Sequence, residues 1–220
     1  MPAYTTSTAK RSRRSRVSAH SRHSIRPSSH QDEEDCPFCA ISRSNPPRAQ
    51  IAPYAAPSTA SPTHNRETTH MILSTPQVIG FLDIMPLSPG HVLLTPRHHA
   101  EKIMDLTPEE GASLGAWLPI ITRAVSRAMQ VDDLNVVQNN GARASQVIKH
   151  VHYHIIPRPE SHTPSRAWTM FGKGQRSDLD DDEAALIAAR IRQEIAWEME
   201  RMGNSTDAPV FRTTVLAPKL

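Results

Sequence analysis

The sequence has few aromatic residues and no long apolar run. Aromatic residues make up 5% of the 220 residues and hydrophobic residues 38%, while 19 prolines stand against 8 glycines. This composition is lean for a chain that is packed throughout, so we expect part of it to lie outside the folded domain. No apolar run approaches the ~20 residues of a membrane span, and the N-terminus lacks the apolar segment of a signal peptide. These absences argue against a transmembrane or secreted protein and against a membrane partner.

Cysteine is also scarce. Only Cys36 and Cys39 occur, which excludes a small domain held together by several disulfides. Their C-x-x-C spacing is typical of metal or redox chemistry in a reducing compartment. Two thiols alone leave three interpretations open: half of a metal site, a redox pair, or small buried side chains.

Acidic residues are absent from the first 31 residues, which carry seven lysines and arginines. We predict a disordered basic arm over 1–31, because so few apolar groups cannot offset the entropy of ordering. Residues 32–220 hold 18 basic and all 22 acidic residues, a net charge of −4, so the basic character belongs to the arm and argues against a nucleic-acid partner. The arm is typical of an intracellular protein of the cytoplasm or nucleus, with a mitochondrial transit peptide as the alternative.

The rest of the chain is predicted to hold one α+β domain. We assign it to residues 32–160, with a proline-rich insertion at about 44–69, a helical extension over 161–203 and a flexible tail over 204–220. Thr107, Pro108 and Glu110 predict a capped helix through about residue 130, and a second helix follows Asp180. Short apolar runs predict strands over 71–74, 78–83, 91–95, 135–139 and 149–157.

The most informative segment carries three histidines at alternate positions. On a strand, His150, His152 and His154 would share one face, while the apolar residues between them would face a core. A half-exposed polar strand is the plain interpretation, although histidine is an uncommon choice for it. The functional alternatives are a catalytic metal site and an imidazole nucleophile acting on phosphorus. The polar, amide-rich turn over 139–146 favours phosphorus chemistry, because N–H donors stabilise phosphoryl oxygens.

The segment HVHYHII resembles the signature of the histidine-triad (HIT) family of nucleotide hydrolases and transferases. The similarity extends to CPFC at 36–39, FLDIMPLSPGHVLLTPRHH at 81–99 and QNNGARASQVIKHVHYHIIPR at 138–158, and it is nearest to the Hint-like branch of nucleoside phosphoramidases. The resemblance implies an α+β fold, a HIT-like antiparallel sheet with one central helix and a C-terminal helix. It also implies a two-fold homodimer.

The resemblance assigns roles to particular residues. His152 would be the nucleophile on the α-phosphorus, with His154 and His150 as the other catalytic histidines. The residues implied for nucleotide binding are Asp83, Ile84, Leu93, His91, Asn139 and Gln146, of which Asp83 would hold the ribose hydroxyls. Many Hint-like relatives have a hydroxyl residue where this chain has Val147, which bears on how the leaving group is held.

The same resemblance completes a metal site. Some members hold a structural zinc through a C-x-x-C pair, the last histidine of P-x-x-H and the first histidine of the triad. Here these ligands are Cys36, Cys39, His99 and His150, with His98 as the fallback. No organic cofactor is implied.

We therefore expect a hydrolase that cleaves purine nucleoside phosphoramidates, or related nucleotide conjugates, through a covalent nucleotidyl-histidine. Hydrolysis or phosphorolysis of dinucleoside polyphosphates would use the same histidines and is the enzymatic alternative. A nucleotide-binding regulator without turnover is the non-enzymatic one. A DNA-end processing enzyme is disfavoured, because such enzymes carry a further zinc module and this chain has no cysteine after Cys39.

Overall fold

One antiparallel sheet of five strands forms the centre of the computed structural model, which describes residues 33–47, 69–160 and 180–203. The strand order across the sheet is β1-β2-β3-β5-β4. The strands are Met71–Ser74 (β1), Val78–Leu82 (β2), Val92–Pro96 (β3), Leu134–Gln138 (β4) and Tyr153–Pro157 (β5). β5 pairs with β3 on one side and with β4 on the other. Because β5 runs antiparallel to β3, the segment that leads into β5 lies beside the segment that follows β3. The predicted α+β architecture is confirmed.

Helices cover both faces of this sheet. The helices are Pro37–Ser44 (α1), Pro108–Met129 (α2) and Asp181–Gly203 (α3). Every residue of β2 and β3 is buried, as expected for central strands with both faces covered. Val92 and Leu94 face the core shared with α2 and α3, while Leu93 faces the opposite side, in a cluster with Phe38 of α1.

Local signals fix the start of α2 where the sequence predicts it. The Thr107 hydroxyl accepts a hydrogen bond from the Glu110 N–H, and the Glu110 carboxylate accepts one from the Thr107 N–H. Pro108 occupies the first helical position, where its missing N–H removes no helical hydrogen bond. The helix then continues through Pro119 to Met129.

An ion cluster fastens α3 to α2. Glu198 is fully buried and lies 2.9 Å from Arg123 Nε, 2.6 Å from Arg127 and 3.2 Å from Arg201. Burial alone would raise the pKa of Glu198, but the contacts with the guanidinium groups of Arg127, Arg123 and Arg201 outweigh it and lower that pKa below its usual range. A hydrogen bond of 2.8 Å from Arg192 to the Met71 carbonyl also ties α3 to β1.

The strand predicted over 149–157 is shorter than expected and begins at Tyr153. Before it, the Val151 N–H donates to the Ala100 carbonyl at 2.8 Å, and the Val151 carbonyl accepts from the Thr95 hydroxyl at 2.7 Å. These partners replace the ladder bonds that a strand would need. The predicted alternation of core-facing residues with histidines is nevertheless present, because Val151, Tyr153 and Ile155 all contact the core under α2.

Several predictions about organisation fall outside the described residues. These are the arm over 1–31, most of the insertion over 44–69, residues 161–179 and the tail over 204–220. The domain boundaries and the localisation that depend on them stay predictions. Among the helices in the described part of the chain, none is both long and apolar enough to cross a membrane. The sequence did not predict α1, whose eight residues follow directly after Cys36.

Candidate active site and metal centre

Two clusters of titratable side chains lie beside β3 and β5. The cysteine–histidine cluster consists of Cys36, Cys39, His99 and His150, all buried. The aspartate–histidine cluster consists of Asp83, His91 and His154, with His154 half-buried. His152 connects them, because its ring nitrogen contacts the backbone of His150 and its ring packs on His154 with centroids 4.8 Å apart.

Three separate segments build the cysteine–histidine cluster. Cys36 caps α1 and Cys39 lies in its first turn, His99 follows β3, and His150 precedes β5. The Cys36 Sγ lies 3.4 Å from His150 Nδ1, and the Cys39 Sγ lies 3.3 Å from His99 Nδ1 and 3.6 Å from His150 Nδ1. Zn–S bonds of ~2.3 Å and Zn–N bonds of ~2.0–2.1 Å in a tetrahedron place sulfur and nitrogen about 3.6 Å apart. The spacing of these atoms is therefore that of a tetrahedral metal site.

The tautomer of His150 suits metal binding. Its Nε2 lies 3.0 Å from the Pro96 carbonyl oxygen, and since a carbonyl can only accept, Nε2 carries the hydrogen. The lone pair is then on Nδ1, which faces both sulfur atoms. Burial lowers the pKa of His150 to about 4, so the ring is neutral at neutral pH.

The cysteines are free thiols in the structure, and burial raises the pKa of Cys39 to about 12, with Cys36 adding to the shift. Such a thiol stays protonated unless a cation lies next to it. His98, the fallback ligand, lies outside the cluster: its side chain is 61% exposed and its Nδ1 is 3.0 Å from Glu110. The cluster thus has the four ligands that the resemblance implied.

One hydrogen bond sets the orientation of His152. Its Nδ1 lies 2.6 Å from the His150 carbonyl oxygen, so Nδ1 is the donor and the lone pair is on Nε2. The residue is 4% exposed, and its ring also packs edge to face on Phe38, with centroids 5.2 Å apart. Burial lowers the pKa of His152, and the hydrogen bond to His150 offsets only part of that shift. A neutral imidazole with a directed Nε2 lone pair is what nucleophilic attack requires.

The aspartate–histidine cluster forms a directed chain of hydrogen bonds. The Leu87 N–H donates to His91 Nδ1 at 3.2 Å, so neutral His91 carries its hydrogen on Nε2. That nitrogen donates to His154 Nδ1 at 3.0 Å, which leaves the hydrogen of His154 on Nε2. The Asp83 carboxylate accepts from the Met85 N–H at 2.9 Å, and its other oxygen is 3.5 Å from His91 Nδ1. In this series of hydrogen bonds, the Nδ1 lone pairs of His91 and His154 both accept a hydrogen. They are therefore not available to bind a metal ion.

The amide-rich turn is fastened from inside by Gln146. The Gln146 side chain accepts from the Gly141 N–H at 2.5 Å and donates to the carbonyls of Glu101, at 2.7 Å, and Ile148, at 3.0 Å. Gly141 has a φ of 88°, which favours glycine. Asn140 adds a second link, because its Oδ1 accepts from the Ile103 N–H at 2.9 Å. Both donors of the Gln146 amide are therefore used in holding the turn.

The other nucleotide-binding residues predicted from the resemblance lie in different surroundings. Ile84 is 48% exposed beside Asp83, Asn139 is half-buried, and Leu93 is buried in the apolar cluster of α1. Val147 is 85% exposed. These roles stay predictions.

Sequence reasoning missed three groups that organise the site. They are the ring of Phe38, the carbonyl of Pro96 and the N–H of Leu87. The two backbone groups leave no signal in the sequence. Phe38 does have one, since it stands between the two cysteines of CPFC.

Comparisons with known proteins point to one family. The HIT domain family model matches residues 65–161. An adenosine 5'-monophosphoramidase of Schizosaccharomyces pombe is 44% identical over 81 residues, 37% of this chain and 58% of that protein. An uncharacterized HIT-like protein of Methanocaldococcus jannaschii is 35% identical over 106 residues, 47% of this chain and 78% of that protein.

Among solved structures, a Zn-bound histidine triad family protein from Mycobacterium smegmatis has a TM-score of 0.53 at 23% identity. The match covers 77% of this chain and 98% of that one. This likeness shows the fold. The chain spans a little over half the length of the yeast relative.

Replacing Gln146 with methionine should loosen the amide-rich turn. Methionine has a similar shape but removes the three hydrogen bonds to the Gly141 N–H and to the Glu101 and Ile148 carbonyls, so we expect the free energy of unfolding to fall by about 1–3 kcal/mol. The Gly141 amide should also exchange its hydrogen faster. Gln193→Met, on the exposed face of α3, is the matched control and should change stability by less than about 0.5 kcal/mol. Equal stability and equal Gly141 exchange in the two variants would show that Gln146 does not hold the turn.

Proposed function

Because the chain belongs to the histidine-triad (HIT) family, we propose that it is a nucleotide hydrolase that cleaves purine nucleoside phosphoramidates or related nucleotide conjugates. The name of the yeast relative, adenosine 5'-monophosphoramidase, supports this substrate class. The observation that carries the proposal is the hydrogen bond that fixes Nδ1 of His152 on the His150 carbonyl and leaves Nε2 with its lone pair.

The reaction proceeds in two steps. Nε2 of His152 attacks the α-phosphorus, a new N–P bond forms, and the bond from phosphorus to the amine breaks as the amine takes a proton from solvent. The product is a nucleoside monophosphate joined to His152. Water then attacks the same phosphorus, the bond to His152 breaks, and the nucleoside monophosphate leaves with the histidine restored to its neutral form.

His154 and the turn over 139–146 are suited to assist the first step. The hydrogen-bond chain leaves the hydrogen of His154 on Nε2, where it can donate a hydrogen bond to a phosphoryl oxygen or to the departing amine. The N–H groups of Gly141, Ala144, Ser145 and Gln146 donate within the turn, so charge on the phosphoryl oxygens is stabilised by the remaining backbone N–H groups of 139–146. Asp83 binds the ribose hydroxyls, and Ile84 and Leu93 contact the sugar or base. Asn139 lies at the phosphate and Gln146 acts through the turn it fastens.

The covalent step tests the proposal. After the wild-type protein is mixed with adenosine 5'-phosphoramidate and quenched in alkali, mass spectrometry should detect an adenylyl group on His152. His152→Asn should show no adduct and lose about a thousandfold or more in kcat. His70→Asn, the same change at a histidine paired with Asp181, should keep both the adduct and the rate. Undiminished turnover by His152→Asn would contradict the assignment.

We also propose that Cys36, Cys39, His99 and His150 hold a structural zinc ion. The four ligand atoms lie within 4.8 Å of one another, all four residues are buried, and the second nitrogen of His150 is oriented by the Pro96 carbonyl. Zinc would supply a rigid cross-link between α1, the segment after β3 and the segment before β5. With four protein ligands the site has no open position for substrate, so the metal does not take part in the reaction.

Metal analysis of the purified protein tests the zinc proposal. We expect about one zinc ion per wild-type chain and less than about a tenth of that in Cys39→Ser, with a lower Tm. His98→Asn tests which of the two adjacent histidines, His98 or His99, binds the metal. This variant should retain the zinc, because His98 pairs with Glu110. The proposal would be contradicted if wild-type protein from zinc-replete cells contained no metal and if adding zinc did not raise its stability.

The homodimer implied by the resemblance is proposed to form along β4. This strand lies at the edge of the sheet, no further strand pairs with it among the described residues, and Val136 in its middle is 43% exposed. Sedimentation equilibrium at micromolar concentration should give twice the chain mass of 24.4 kDa. Val136→Lys should shift the protein to monomer, because a lysine would face its own copy across the two-fold axis. A wild-type monomer would remove the proposal.

A further inference from the structure

Lys102 lies across the amide-rich turn over 139–146. Its Cε is 3.6 Å from the point that a Cβ would occupy on Gly141, and its side chain is half-buried. The residues on either side of Lys102 both bond to the same turn. The carbonyl of the preceding residue accepts from the Gln146 amide at 2.7 Å, and the N–H of the following residue donates to Asn140 Oδ1 at 2.9 Å. The backbone of Lys102 is therefore held beside the turn, and its side chain lies over Gly141.

The ammonium group of Lys102 has no carboxylate partner among the described residues. Two acids are close to it in the chain. The Asp105 carboxylate accepts from the Lys102 backbone N–H at 2.9 Å, and Glu101 is exposed. The segment 138–149 adds two exposed basic residues, Arg143 and Lys149, and has no acidic residue. Around the turn, three basic side chains therefore stand against two acidic ones, and Lys102 is available to an anion.

His152 lies between this turn and the residue proposed to bind the ribose. On one side is His154, which the aspartate–histidine cluster connects to Asp83. On the other side is the turn, which begins directly after Gln138, the residue that pairs with Tyr153. A nucleotide with its ribose at Asp83 and its α-phosphorus at Nε2 of His152 thus has its remaining substituent free to extend towards the turn. An in-line attack directs that substituent away from His152, and the flexible four-carbon stem of a lysine can follow it.

We propose that Lys102 binds the leaving group and favours nucleotides whose leaving group is a tetrahedral oxyanion, sulfate or phosphate. The proposal rests on the proposed function, because it assumes that His152 attacks the α-phosphorus. As Nε2 forms its bond to phosphorus, the P–O bond to the leaving group breaks and its electron pair stays on the departing oxygen. The Lys102 ammonium stabilises the negative charge that grows on that oxygen. Sulfate is a weak base and leaves without a proton, whereas an amine must take one.

The charge of the leaving group decides what Lys102 contributes. An ammonium ion stabilises an anion beside it, but it gives no such stabilisation to departing ammonia, whether neutral or protonated. Salt should weaken the effect, because a half-buried lysine is screened by dissolved ions. The ratio of kcat/KM for an anionic leaving group to kcat/KM for an amine therefore isolates the contribution of Lys102 from effects on folding or on His152.

Kinetics with adenosine 5'-phosphosulfate and adenosine 5'-phosphoramidate test the proposal. Lys102→Met keeps the length of the stem without the charge, and it should lower the phosphosulfate-to-phosphoramidate ratio about 10-fold, the low end of what a hydrogen bond to a charged group contributes. Lys102→Arg should keep the ratio within about threefold, because the charge remains. Arg190→Met removes one positive charge from the exposed face of α3, and this matched control should stay within about twofold. Lys102→Gln carries the same expectation as Lys102→Met if that variant does not fold.

Two further series sharpen the result. In about 0.5 M sodium chloride, the wild-type ratio should fall several-fold towards that of Lys102→Met, while the ratio of the variant should stay constant. Adenosine diphosphate in place of the phosphosulfate makes phosphate the leaving group. Whichever of the two anionic substrates loses more kcat/KM in Lys102→Met identifies the oxyanion that Lys102 favours.

The outcomes distinguish this proposal from the function it rests on. If Lys102→Met lowers kcat/KM for the anionic and amine substrates equally, or lowers neither, leaving-group binding by Lys102 is wrong. A wild type that cleaves the phosphoramidate but neither anionic substrate also overturns it. In each of these cases an adenylyl adduct on wild-type His152 leaves the proposed function standing. If the wild type forms no adduct with any of the three substrates, the proposed function fails and this proposal fails with it.

Discussion

The hydrogen bond of 2.6 Å between His152 Nδ1 and the His150 carbonyl is the contact on which the rest of the site depends. It joins two neighbouring histidines whose rings have different surroundings: that of His150 faces two thiols, and that of His152 faces His154 and Phe38. His150 thus contributes its side chain to the cysteine–histidine cluster and its backbone carbonyl to the orientation of His152. Any movement of His150 would be passed to the ring of His152.

The surrounding structure restrains His150 from several directions. Its Nε2 donates to the Pro96 carbonyl at the end of β3, and the next residue, Val151, bonds through its backbone to Ala100 and Thr95. The His150 N–H itself bonds to the Ile148 carbonyl, close to where Gln146 fastens the turn. Residues 146–152 are therefore shaped by contacts with the segment after β3, and the strand proper starts only at Tyr153.

Much of this arrangement could be predicted from the sequence, and the reasons are local. The capping residues of α2 interact with their own neighbours, and the alternation of histidines with apolar residues fixes which side of the sheet each faces, even where the strand ladder stops. The pairing of Cys36 and Cys39 with His99 and His150 followed from the resemblance, and the structure brings the four together.

What could not be predicted depends on contacts between distant parts of the chain. The sequence shows that Gln146 has an amide to bond, but it does not show that one partner is the Glu101 carbonyl, 45 residues away. The start of β5 is set by Ala100 and Thr95, and the contact between Phe38 and His152 exists only in the fold that brings residue 38 against residue 152. A buried amide or ring finds such partners only in the folded state, and the residue types alone do not name them.

A crystal structure of the protein with adenosine monophosphate bound tests the account most directly. If Nε2 of His152 is the nucleophile, the phosphorus should lie about 3–3.5 Å from it, with Nδ1 still on the His150 carbonyl and His154 Nε2 at a phosphoryl oxygen. A phosphate bound away from Nε2, or a His152 ring turned so that Nδ1 faces the nucleotide, would contradict it.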